Sequence, residues 1–168
     1  IIRFADVLLM AAEAEIELGN LDKGREYINL VRTRAANPAS FVKGKITGYN
    51  KNDKGETDYS NPILDMTQDA STYVIAPYPA FANKDEATAA LRFERKLELA
   101  LEGQRFFDLV RWGVADKELN EYFAYEVPKL GLQFSGSRFQ AGKHEYLPIP
   151  QRQIDLQSTE VLKQNPGY

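Results

Sequence analysis

Residues 91–113 read LRFERKLELALEGQRFFDLVRWG, the stretch richest in charge and aromatic rings in this chain. On a 3.6-residue wheel Ala90, Phe93, Leu97, Ala100 and Leu101 form one apolar arc, and Leu99 lies nearly opposite. The pattern predicts a helix buried on more than one side, running from Asn83 to about Glu102 and stopped by Gly103. Glu94, Glu98 and Glu102 follow one another at four-residue steps along its edge. A carboxylate near a core needs a partner or takes up a proton. Arg95, Arg105, Arg111 and Arg92 are the candidates nearest in sequence, and arginine's planar fork suits the task.

Two readings compete for these carboxylates. In one, Glu94 and Glu98 are the acid and base of a glycoside hydrolase. That chemistry places the two groups across an open cleft, whereas these share one packed helix with arginines beside it. A neighbouring guanidinium keeps a carboxylate ionised, the wrong state for a general acid. The scaffold reading is therefore preferred: Glu94, Glu98, Glu102, Arg105, Asp108 and Arg111 form a structural ion network, with Phe106, Phe107, Leu109 and Trp112 packing over it.

Outward from this stretch, helical periodicity is clear at the start. Arg3 to Leu18 is rich in alanine and leucine, with apolar Phe4, Leu8, Ala11 and Ala12, and Gly19-Asn20 supplies a stop. Leu21 to Ala35 is a second helix with Gly24, Ile28 and Val31 on one face. Together they predict an αα-hairpin of tetratricopeptide type. Such a unit rarely stands alone, and the chain opens in helical pattern with no cap or signal peptide, so we expect it to begin inside a larger protein.

From Asn37 to Asn83 the periodicity is lost. YNKNDKGETDYSNP reads as turns, with Asn52-Asp53-Lys54-Gly55 a tight one, and only Thr72 to Ile75 looks β-like. Long irregular stretches are often functional. Further helices are expected over Arg105–Arg111 and Asp116–Tyr125, ending before Pro128, and YLPIP is extended because of its prolines. The fold expected is mostly α: a tetratricopeptide-like hairpin plus further helices with long irregular loops. It divides into 1–36, a variable loop region 37–83 and a region 84–168, all of one truncated domain.

Composition narrows the function. With 43% hydrophobic and 27% charged residues the chain falls within the range of globular proteins. A net charge of −3 gives no reason to expect nucleic acid as partner. The absence of cysteine removes disulfides and thiolate metal sites. His144, the one histidine, lacks companions for a metal site. NKNDKGETDYSN has Gly55 at the sixth position of a calcium loop, but lysine at the fifth and Asn61 at the twelfth, where glutamate is wanted. No serine–histidine–acid set or phosphate loop is present, and no cofactor is expected.

Three stretches resemble the SusD/RagB family of outer-membrane glycan-binding lipoproteins. The pattern E-R-x-x-E-L-x-x-E-G-x-R-x-x-D-L-x-R-W-G is similar to Glu94, Arg95, Glu98, Leu99, Glu102, Gly103, Arg105, Asp108, Leu109, Arg111, Trp112 and Gly113. RFADVLLMAAEAEIELG with YINLVRTRA resembles that family's last helical hairpin, and YLPIPQRQIDLQSTEVLKQNPGY its closing segment. The resemblance implies non-catalytic binding of a glycan or other nutrient at the outer-membrane surface and delivery to a SusC-like TonB-dependent transporter. Attachment to the membrane would run only through an upstream lipid anchor absent from this chain. It further implies that the dense stretch is scaffold and that recognition lies in variable loops.

Sugar binding needs flat aromatic faces and polar side chains for hydroxyls. Tyr49, Asn52, Asp53, Tyr59, Tyr73 and Tyr78 of the loop region, with Phe134 and Arg138 of LGLQFSGSRF, are the candidates. Tyr49 and Tyr59 lead because they flank the most polar segment. A tetratricopeptide-like protein-interaction module is the alternative function, and a glycoside hydrolase the third.

Overall fold

The computed structural model describes residues 2–130, 135–158 and 160–168. The fold is mostly α: six α-helices and a two-stranded sheet among the described residues. The chain divides into two compact units, Ile1–Glu98 and Leu99–Tyr168.

In the first unit, α1 (Phe4–Glu17) and α2 (Leu21–Ala35) form the expected αα-hairpin. Gly19 turns the chain in the left-handed conformation, φ +87°, that glycine adopts without strain. Ala5, Leu9, Ala12 and Ile16 recur at helical spacing and are the buried face of α1. Phe4, by contrast, is exposed, so the buried stripe is rotated by about one residue from the sequence reading. Gly24, Ile28 and Val31 are the buried face of α2. Gly24 sits where the helices meet: a Cβ there would lie 2.6 Å from Ile16 Cγ1 and 3.1 Å from the Ala12 carbonyl oxygen. Ala87 and Leu91 of α3 (Lys84–Glu98) complete this core, with Tyr78 and Phe81 packed at its edge.

The start of α3 has the capping logic of its sequence. Asn83 Oδ1 accepts from the Glu86 amide at 2.9 Å, and the Glu86 carboxylate accepts from the Ala82 amide at 2.7 Å. Its buried face differs from the expected arc. Ala87, Leu91, Glu94 and Arg95 point inward, whereas Phe93, Leu97 and Leu101 are exposed. The reason is that Glu94 and Arg95 find charged partners inside, so burial follows ion pairing rather than hydropathy. The helix ends at Glu98, four residues early, and Leu101 and Gly103 both take positive φ in the turn that follows.

The region between α2 and α3 is not simply irregular. After a 3-10 turn at Pro38–Ser40 come β1 (Lys43–Lys51) and β2 (Thr57–Asp69), paired antiparallel with Lys43 opposite Asp69, Ile46 opposite Leu64, Tyr49 opposite Pro62 and Lys51 opposite Thr57. Three register irregularities absorb the extra residues of β2. Strands exposed on both faces have no need to alternate apolar with polar residues, which removes the period-2 signal. The turn at 52–55 is as read: the Gly55 amide donates to the Asn52 carbonyl at 2.9 Å. Thr72–Ile75 is not a strand.

The second unit holds α4 (Gln104–Arg111), α5 (Ala115–Leu130) and α6 (Gln151–Gln157). Leu109, Ala115 and Phe139 form its core, with Trp112, Val114, Leu119 and Phe123 around them. Helix α5 runs through Pro128. A proline in the last turn costs one hydrogen bond that the fraying end makes weakly in any case.

Candidate functional site

The acidic residues of α3 are spoken for. Glu94, its side chain 5% exposed, accepts from Arg32 Nη1 at 2.6 Å. Glu98 is held from two sides, by Arg3 at 2.9 Å and by Arg34 at 2.6 Å. Arg3 also donates to the Glu98 carbonyl at 2.7 Å, satisfying a group the helix end leaves without a partner. The partners are therefore arginines of the first helical hairpin, not the sequence neighbours. Arg95 instead reaches Asp6 of α1 at 2.9 Å, with 3% and 8% of the two side chains exposed. Glu102 is exposed after α3. In the second unit, Asp108 pairs with Arg111 at 3.0 Å and Arg105 with Glu118 at 3.0 Å. Arg105 and Arg111 also lie over the Trp112 ring, 5.8 and 4.9 Å from its centroid.

The aromatic and polar side chains cluster elsewhere, on the β-hairpin. Tyr49 and Tyr59 meet edge to face, ring centroids 5.0 Å apart and planes at 63°. Tyr59 is 76% exposed and Tyr49 36%. Neither ring belongs to a hydrophobic core, so their contact presents aromatic surface to solvent. Beside them Asn50 Nδ2 donates to Asn61 Oδ1 at 3.0 Å. Asp58 accepts from the Ser60 hydroxyl at 2.6 Å and the Ser60 amide at 3.0 Å, and these bonds hold its carboxyl below the usual carboxylate range.

The other loop candidates have structural employment. Asn52 Oδ1 accepts from the Lys54 and Glu56 amides at 3.0 and 2.9 Å and so builds the hairpin turn, with Asp53 exposed at its tip. Tyr73 stacks on Phe41 at 4.2 Å and accepts from the Val42 amide at 3.2 Å, closing the base of the hairpin. Tyr78 lies on the first core under the Arg32 guanidinium, 4.3 Å away. Burial pushes its hydroxyl above the usual tyrosine value, Arg32 opposes this and Glu94 adds to it.

The SusD family's sequence model matches residues 1–168. The chain belongs to the SusD family. It is 29% identical over its whole length to a SusD-like protein of Formosa agariphila, of which it covers 24%. A crystal structure of a SusD superfamily protein from Bacteroides vulgatus superposes on 99% of the chain with a TM-score of 0.57 and 28% identity, the match covering 27% of that protein. This SusD-family chain thus spans about a quarter of the length of these relatives.

Arg138 of the SusD-family chain is exposed at the rim of an open groove of about 600 Å3 lined by Asn120, Phe123 and Val127. Phe134 lies outside the described residues. A second open groove, about 610 Å3, runs along the base of the β-hairpin between Lys43, Lys45, Gln68, Asp69 and Thr72. Its ammonium, amide, carboxylate and hydroxyl groups were missed by sequence reasoning, because only the strand pairing brings 43–45 beside 67–72. Among the described residues no group of histidine, cysteine, aspartate and glutamate could hold a metal ion.

Proposed function

We propose that this chain takes part in non-catalytic binding of a glycan or other nutrient at the outer-membrane surface, in the service of a SusC-like TonB-dependent transporter. SusD-family proteins are in general non-catalytic binding proteins associated with the outer membrane. The observation that carries the reading is the exposed Tyr49–Tyr59 pair, with the Asn50–Asn61 amides at hand. Tyrosine rings offer an apolar face to a pyranose and a polar tip to its hydroxyls, at little entropic cost. The engagement of Glu94 and Glu98 by guanidinium groups speaks against hydrolysis by that pair. Among the described residues no helix is long and apolar enough to cross a membrane.

Calorimetric titration of the protein against a panel of neutral and acidic oligosaccharides tests the reading. A bound oligosaccharide should lose about tenfold or more in affinity with Tyr59→Ala or Tyr49→Ala, about 1.4 kcal/mol. Undiminished affinity in the double variant removes the hairpin as the site. Release of reducing sugar by the purified protein overturns the non-catalytic reading.

One observation favours a protein-interaction role alongside. Phe4 and Leu30 stay exposed beside a cleft of about 470 Å3 between α1 and α2, framed by Arg3 and Arg34. If Phe4→Ser weakens retention of the transporter in a pull-down while glycan titrations are unchanged, that cleft serves a partner.

A further inference from the structure

The β-hairpin that carries Tyr49 and Tyr59 holds itself together. Among the described residues, the side-chain hydrogen bonds and ion pairs of β1 and β2 stay within the hairpin and its stems, as in Lys43 with Asp69, Thr47 with the Ile63 carbonyl and Val42 with Tyr73. A two-stranded hairpin open on both faces has no sheet or core to set its direction. Its direction must come from its stems.

The exit stem is gripped by two residues of α2. Arg32 Nε donates to the Ala76 carbonyl at 2.6 Å while Nη1 of the same group binds Glu94 at 2.6 Å, and the guanidinium carbon lies over the Tyr78 ring, 4.3 Å from its centroid. One turn earlier Asn29 Oδ1 accepts from the Tyr78 amide at 2.7 Å and Nδ2 donates to its carbonyl at 3.0 Å. Buried Glu94 thereby fixes Arg32, and Arg32 with Asn29 fixes the backbone of 76–78. The Phe41–Tyr73 stack and the Val42–Tyr73 hydrogen bond carry that constraint across to the entry stem.

We infer that Arg32 and Asn29 are the positioning residues of the candidate ligand site: they set where the hairpin presents Tyr49 and Tyr59. This rests on reading the hairpin as the ligand-bearing arm. Lysine is a poor substitute for Arg32: its three N–H donors radiate from one nitrogen, so it lacks the spaced Nε and Nη1 donors that reach Ala76 and Glu94 and the planar group that faces Tyr78.

The chain has no cysteine, so spin labels at Ala14→Cys on α1 and Lys54→Cys at the hairpin turn report the hairpin's direction without further engineering. Pulsed electron paramagnetic resonance should give one narrow distance distribution in the parent. Arg32→Lys and Asn29→Ala should each broaden or shift it, with helical circular dichroism retained. A narrow, unmoved peak in folded variants overturns the inference, as does a broad peak in the parent. Asn29→Ala decides the matter if Arg32→Lys fails to fold, since alanine is the better helix former. Tyr49→Ala and Tyr59→Ala should leave the peak in place. Loss of oligosaccharide binding in those two variants bears on the ligand reading, and the distance distribution bears on Arg32 and Asn29, so either idea can fail without the other.

Discussion

Asn29 closes both backbone hydrogen bonds of Tyr78, giving a donor to the carbonyl and an acceptor to the amide, as a neighbouring strand would. Among the described residues the device recurs twice. Asn120 holds the amide of Phe139 at 2.8 Å and its carbonyl at 3.0 Å. Gln164 holds the amide of Ile149 at 2.7 Å and its carbonyl at 2.8 Å. Each clamp satisfies the backbone of an irregular segment that no sheet or helix pairs.

These clamps need an amide, not an acid. Asn120→Asp keeps the acceptor for the Phe139 amide but sets a carboxylate oxygen against the Phe139 carbonyl. The expected cost is about 1–3 kcal/mol at neutral pH. Protonation restores a donor, so the folded-state pKa of the new aspartate lies above its unfolded value. The variant's stability relative to the parent is then recovered at low pH and lost as pH rises through that value. Urea melts of parent and variant at pH 4 and pH 7 measure the difference; an equal gap at both pH values removes the clamp argument.

Gly24→Ala should destabilise the first unit although alanine is the better helix former. The gain in propensity is worth about 1 kcal/mol. Against it stands a Cβ placed 2.6 Å from Ile16 Cγ1 and 3.1 Å from the Ala12 carbonyl oxygen, one of them backbone. Overpacking of this kind costs about 1–3 kcal/mol. A lowered thermal midpoint is expected, and a raised one would mean that α1 and α2 part more easily than their packing implies.

Much of this fold is legible in the sequence, and the failures have physical causes. The bounds of α2 and its buried Gly24, Ile28 and Val31 follow from spacing alone, because that face meets only apolar neighbours. The face of α3 is misjudged because Glu94 and Arg95 are buried with charged partners, and the partners come from 62 and 89 positions away. Local sequence cannot reveal that arginine, Arg32, or that aspartate, Asp6. The β-hairpin is hidden because both of its faces meet solvent, which leaves polar and apolar residues free to fall anywhere along it. Tyr49 and Tyr59 are legible as residue types flanking a turn; that their rings meet is not, since it depends on the strand register. The amide clamps leave no local signature at all.

Burial separates the ion pairs that matter. Asp6→Ala leaves the Arg95 guanidinium, 3% exposed, without the carboxylate it reaches at 2.9 Å. Breaking a buried pair from one side costs about 3–5 kcal/mol. Asp22 makes a pair of similar length with Arg25 at 3.0 Å, but its side chain is 86% exposed. Asp22→Ala should change stability by less than about 0.5 kcal/mol. Chemical denaturation of the two variants side by side tests the ranking, and similar losses would contradict it.

The β-hairpin should loosen in acid before the helices do. Asp65 accepts from the Thr67 hydroxyl at 2.6 Å, the Thr67 amide at 2.9 Å and Gln68 at 2.6 Å, and Asp58 makes the matching pair of bonds to Ser60. The hydroxyl bonds are the largest cause holding both carboxyls below their ordinary value of 3.8. A carboxyl whose folded pKa is depressed contributes stability that is complete above the unfolded value and is lost as pH falls through the folded one. The window therefore lies below pH 3.8. Amide exchange followed residue by residue should show protection at Ser60 and Thr67 falling in that window while Leu9 and Ile28 of the helical core stay protected. Asp58→Asn with Asp65→Asn should abolish the pH dependence in the hairpin. Equal loss of protection in hairpin and helices would instead place the acid-sensitive groups among the buried pairs of α1, α2 and α3.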